Sequence, residues 1–259
     1  MLGGLGIVFL GAMGVLQKVL VLGMLPLGLL GAWRLLRATD SAAGRTAALV
    51  AYAAVPLPYN ALAEGHWRTL AVYAASPWML DRLARASGLA PFGPVRGDPG
   101  PGYLPRSILH HLLALGLLTA VLVALAPVAI VVPVLIAVGL ALGAVVAGQP
   151  GRSARVLVVA AGAVVVAVVL HLPWSWELVR PGAVQAAVTG VRAPTGVSFA
   201  DLLRFETGPW GAGALSWLLL PAAALPLLIG RGWRLGWGVR GWLVAFVTWG
   251  AVWAVEQGW

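Results

Sequence analysis

The sequence has no cysteine and very little negative charge. Only eight Asp and Glu residues occur among 259, and charged residues of both signs make up just 10%. Without cysteine there can be no disulfide, thiolate metal ligand or thiol nucleophile, so any loop outside the cytoplasm is held by packing alone. A glycine-rich phosphate loop with its lysine is missing, and so is the aspartate-pair motif of nucleotide-sugar chemistry. Nothing in these residues supports a cytoplasmic nucleotide-dependent reaction. A basic N-terminal region of the signal-peptide type is also lacking: MLGGLGIVFLGAMG runs straight into more apolar sequence and reads as membrane-embedded and retained.

What is present is hydrophobic. Apolar residues make up 61% of the chain, far beyond the range of soluble domains, which predicts an all-α, polytopic transmembrane bundle. The net charge of +9 does not point to nucleic acid, because the 17 basic residues are scattered through short loops rather than gathered on one face. A crossing helix needs roughly 20 apolar residues. That length places helices near 2–16, 17–36, 45–59, 67–83, 106–126, 128–147, 155–173, 213–230 and 241–256, a bundle of seven to nine. The pair at 45–59 and 67–83 is short for two crossings and reads as a hairpin that spans or re-enters from one side.

Arginine sets the orientation expected for a multi-pass protein of the cell membrane, since short cytoplasmic loops are enriched in Lys and Arg. With 34–45, 82–106, 148–155 and 231–240 inside, and Asp81 counted with the second of these loops, twelve basic residues face three acidic ones there, Asp40, Asp81 and Asp98. The outer side then holds five of each sign and all four glutamates. The chain divides into N-terminal helices with the polar hairpin (1–85), a cytoplasmic Gly/Pro linker (86–105), and C-terminal helices with an outer loop at 174–212 (106–259). The linker reads as irregular. Pro127 is expected to mark a tight outer turn and Pro133 a kink. Within the outer loop, Ser198 stands three residues before Asp201, a capping-box spacing that predicts a short amphipathic helix in the outer headgroup layer. Trp174, Trp176, Trp210, Trp233 and Trp237 fall at helix ends, where tryptophan anchors helices at the interface. Gly139, Gly143 and Ala147 form a row of small residues that lets helices approach closely. Met1 opens directly into apolar sequence and Trp259 follows Glu256-Gln257-Gly258 without a tail, which suggests a piece of a longer polypeptide with further domains.

Polar residues inside apolar sequence are functional-site hypotheses by default. The outer constellation is Asn60, Glu64, His66 and Arg68 in the hairpin, His171 and Glu177 after a helix, and Asp201, Arg204 and Glu206 in the loop helix. Carboxylates beside cations and imidazole could supply a general base, a phosphate clamp, or oxygen and nitrogen donors for a divalent metal. The alternative is that these are solvated loop residues and ion pairs. His110 and His111 are adjacent on a helix and point about 100° apart, a poor geometry for one metal.

The stretches PLPYNALAEGHWRTLAVYAASPWMLDRLARA, VSFADLLRFETGPWGAG and WRLGWGVRGW resemble the polytopic membrane portion of large actinobacterial membrane glycosyltransferases, some of which carry a family-2 glycosyltransferase domain before the membrane part. The resemblance implies a GT-C-like transferase: a polyprenyl-phosphate sugar is used at the extracytoplasmic face in cell-envelope glycan assembly, and an acidic outer-loop residue activates the acceptor hydroxyl. Here the first outer loop holds no aspartate, and Glu64 is the nearest acid. On this reading Glu64 is the catalytic base, and Asn60, His66, Arg68, Glu177, Asp201, Arg204 and Glu206 contact substrate, with membrane lipid and a lipid-linked sugar as partners. Two other classes fit the same composition: a transporter or flippase built on discontinuous helices, and a non-catalytic scaffold subunit.

Overall fold

A computed structural model describes residues 13–39, 41–95, 98–99, 107–173, 175–176, 198–205, 209–210 and 213–256. It is helical throughout, apart from one two-residue antiparallel pairing of Pro94–Val95 with Asp98–Pro99. The helices are α1 (Met13–Leu36), α2 (Ala42–Ala54), α3 (Leu57–Ala63), α4 (Trp67–Ser87), α5 (Ile108–Leu125), α6 (Val131–Val146), α7 (Pro150–Leu170), α8 (Phe199–Arg204), α9 (Leu219–Ile229) and α10 (Trp233–Glu256). Six segments are long and apolar enough to cross a membrane: Gln17–Leu36, Ala42–Ala63, Ile108–Leu125, Pro127–Val146, Pro150–Leu170 and Trp233–Val255.

Boundaries differ from expectation where polar residues sit inside helices. The division expected between residues 16 and 17 does not exist, because α1 is continuous from Met13. The hairpin legs are longer than their apolar runs, reaching Ala42–Ala63 across a break at Val55–Pro56 and Trp67–Ser87 on the return. Pro127 opens a short 3-10 turn, whereas Pro133 falls in the first turn of α6, where a missing N–H costs little. No kink is needed there. The expected loop 231–240 is helix from Trp233 onward, so Arg234 and Arg240 belong to α10.

The core forms around α4, the least apolar of the long helices. It packs against α1, α3, α5, α6 and α7, and eleven of its 21 residues are buried. Its inward face is small, with Ala71, Ala74 and Ala75, and between them Leu70, Met79 and Leu83 lock into Leu115, Leu140, Val156 and Val159. In lipid, helices gain little by hiding apolar surface from one another, so small residues and close contact carry the association. Both helix groups share this one core cluster. Gly28 and Gly31 of α1 sit against α4, and a Cβ on Gly31 would lie 2.5 Å from the Trp78 indole nitrogen, which donates to the Leu27 carbonyl. Tyr52 and Tyr73 stack with centroids 4.6 Å apart and donate to each other's backbone carbonyls, tying α2 to α4. The small-residue row on α6 meets α10: a Cβ on Gly139 would stand 2.5 Å from the Val244 Cα.

The start of the expected linker is packed rather than free. Leu89 and Phe92 are buried, the Phe92 ring meets Trp237 edge-on, and the Trp237 indole donates to the Ala90 carbonyl. Trp237 therefore pins α10 to this turn instead of serving as an interface anchor.

Candidate functional site

The hairpin tip is set by the way α3 ends. Gly65 adopts a left-handed φ of +71°, the Gly65 N–H bonds to the Leu62 carbonyl, and the His66 N–H bonds to the Ala61 carbonyl. This glycine-centred stop satisfies the helix's last carbonyls. It also turns Glu64, His66 and Arg68 outward within five residues. The His66 Nδ1–H donates to Glu64 at 3.1 Å. Both side chains are exposed, and the Arg68 guanidinium stacks over Trp67 at 5.7 Å.

Asn60 is the buried member of the set, at 1% exposure. Its amide nitrogen donates to the Trp210 carbonyl and its amide oxygen accepts from the Trp210 N–H, both at 2.8 Å. The pairing fixes the amide's orientation, because a flipped amide would oppose donor to donor. Asn60 thus clamps the Trp210 backbone onto the hairpin, across 150 residues of sequence.

The short helix α8 forms where Ser198 and Asp201 predicted it. The Asp201 carboxylate accepts from the Ser198 N–H at 2.9 Å and from its hydroxyl at 2.6 Å, and the Asp201 N–H returns a bond to the Ser198 hydroxyl oxygen. Arg204 adds an ion pair at 2.5 Å. The Ser198 hydroxyl and backbone N–H, with Arg204, hold the Asp201 carboxyl below its usual range. Arg204 also lies over the Trp217 ring at 5.3 Å, and Phe205 contacts Trp249 of α10 at 6.3 Å. Beside that contact an open trough on α10 is lined by Phe246, Trp249, Gly250 and Trp253. Positions spaced by three and four residues share one helix face, and very little of this helix is covered by protein.

His171 caps α7 and donates from Nδ1 to the Ala167 carbonyl at 2.7 Å. Glu177 and Glu206 lie outside the described residues. The structure gives Glu64 to His66 and Asp201 to Arg204, two separate pairs. Among the described residues no three His, Asp or Glu side chains converge as a metal would require.

The most buried charge escaped sequence reasoning. Asp81 of α4, with its side chain 1% exposed, accepts from Arg85 Nε at 2.8 Å and from Arg34 Nε of α1 at 3.3 Å. It had been counted as a cytoplasmic loop charge. The signal available was the i, i+4 spacing of Asp81 and Arg85, hidden by taking the helix to stop at residue 83.

The described residues define a class: a helical bundle with six segments apt for a membrane, polar side chains at its ends and an ion triad centred on the buried Asp81. Set against protein-family models, curated proteins and solved structures, the chain matches none.

Proposed function

We propose that the chain is the membrane module of a glycosyltransferase that takes its sugar from a lipid-linked donor at the extracytoplasmic face, for assembly of a cell-envelope glycan. The observation that carries the reading is the Asn60–Trp210 clamp. It holds the hairpin that carries Glu64, His66 and Arg68 to Trp210, while Phe205 of the same loop meets Trp249 in an open aromatic trough suited to a polyprenyl chain. In this arrangement the arginine-bearing helix ends are cytoplasmic and the hairpin crosses fully.

Glu64 accepts the proton of the acceptor hydroxyl as its oxygen bonds to the anomeric carbon and the bond from that carbon to the phosphate oxygen breaks. Arg68 and Arg204 stabilise the charge collecting on the departing lipid phosphate. His66 orients Glu64, Asn60 positions the loop, and Asp201 holds Arg204, while Glu177 and Glu206 are left for acceptor hydroxyls or a divalent ion.

The test uses purified full chain with a polyprenyl-phosphate sugar and glycan acceptors. Glu64→Gln should lower kcat by about 100-fold or more, the usual worth of a general base, with donor KM little changed. Arg204→Gln should instead raise donor KM. Full transfer by Glu64→Gln would remove the proposed base.

A transporter is the second reading, favoured by the break at Val55–Pro56 and by Pro26 and Pro77 inside α1 and α4. It predicts substrate movement across vesicles with no glycosidic bond formed.

A further inference from the structure

At the opposite end of the bundle, α7 begins with the wrong charge. The N-terminus of a helix carries partial positive charge and unsatisfied N–H groups, and favours acidic residues. Here the cap residue Gln149 makes no side-chain capping bond, no acid lies in the first turn, and Arg152 and Arg155 occupy the first two turns. Both guanidinium groups converge on one place: a Cβ added to Gly88 would lie 3.8 Å from Arg152 Nη1 and 4.0 Å from Arg155 Nη1. Arg152 also donates to the Gly88 carbonyl.

Arg240 of α10 reaches the same region. It is 5% exposed, it lies within electrostatic range of Arg152, and its guanidinium stacks over Trp237, the residue bonded to Ala90. Its Nε and that of Arg155 are buried without a hydrogen-bond partner. The local acid cannot serve, because Asp81 already holds Arg34 and Arg85. Neither α6 nor α7 contains an acid, and the one acid of α10, Glu256, is sixteen residues beyond Arg240, about 24 Å along a helix.

Removing a guanidinium from water without a counter-charge is costly, Arg240 is the buried one of the three, and among the described residues no acid pairs with Arg152, Arg155 or Arg240. We propose that Arg152, Arg155 and Arg240, gathered at the start of α7, bind a phosphate group. Phosphate oxygens match the planar fork of arginine and accept from helix N-termini. Basic recesses between spanning helices are also where anionic headgroups settle. The phosphate comes either from an anionic phospholipid or from solution.

The experiment measures thermal unfolding of the purified full chain in neutral detergent, with matched chloride as control. One arm adds phosphatidylglycerol against phosphatidylcholine, and the other adds inorganic phosphate against sulfate-free buffer of equal ionic strength. A ligand that binds only the folded state raises the midpoint with its concentration. The expected result is a rise in at least one arm: phosphatidylglycerol alone identifies a headgroup site, and inorganic phosphate a soluble one. Arg240→Gln should weaken that binding about tenfold or more, the worth of a charge-assisted bond, while Arg231→Gln, on the surface, keeps it. Should Arg240→Gln fail to fold, the half-exposed Arg155→Gln carries the same expectation. No rise in either arm, or an undiminished rise in Arg155→Gln and Arg240→Gln, overturns the site.

Discussion

Asp81 shows how a single carboxylate can hold a membrane bundle together. It lies in α4, where it neutralises two arginines from two helices, and its own side chain is almost fully enclosed. A buried ion pair adds little net stability, but removing one partner leaves charge uncompensated, at a cost of about 3–5 kcal/mol. Asp81→Asn keeps the shape and takes the carboxylate's charge away from both Arg34 and Arg85. It should lower the unfolding midpoint in detergent far more than Arg34→Ala, because Arg34 is 37% exposed and its loss leaves the Arg85 pair intact. Equal midpoints for Asp81→Asn and the parent chain would contradict this. At this scale the sequence is legible where groups are near neighbours. The Ser198–Asp201 cap follows from spacing. Asn60 is different: its partner is the backbone of Trp210, and a bond to backbone leaves no trace in side-chain pattern.

Among the elements, glycine decides where helices touch. Gly139 presses against the backbone of Val244, while Gly241, on the same α10 helix as Val244, has nothing within 4 Å of where a Cβ would be. The same substitution should therefore have opposite signs at the two positions. Gly139→Ala forces α6 and α10 apart and should cost about 1–3 kcal/mol, the usual penalty of overpacking. Gly241→Ala fills open space and should gain up to about 1 kcal/mol from helix propensity. Thermal unfolding of the two variants side by side checks the contrast, and a loss at Gly241 as large as that at Gly139 would refute it. The close α6 approach was readable from the small-residue row. Helix ends were less so, because arginine was taken as a loop marker. Arg152, Arg155, Arg234 and Arg240 lie within helices instead, since a long side chain can reach polar surroundings from inside a helix.

For the whole molecule, the alternating run of α1 to α10 brings Arg34, Arg85, Arg152 and Arg240 to one end and the Glu64 tip to the other. The proposed orientation, with the arginine end in the cytoplasm and the Glu64 end outside, follows the positive-inside tendency. Its most direct test exploits the absence of native cysteine. Ser153 is unsuitable as a probe position, being buried and bonded to the Ala141 carbonyl, whereas Gly151 faces open space and Ala63 is exposed beside the hairpin tip. Single-cysteine variants Gly151→Cys and Ala63→Cys are treated in intact cells with a membrane-impermeant maleimide. Labelling of Ala63→Cys at once, and of Gly151→Cys only after the cells are opened, is the predicted result; labelling of Gly151→Cys from outside intact cells would contradict the account.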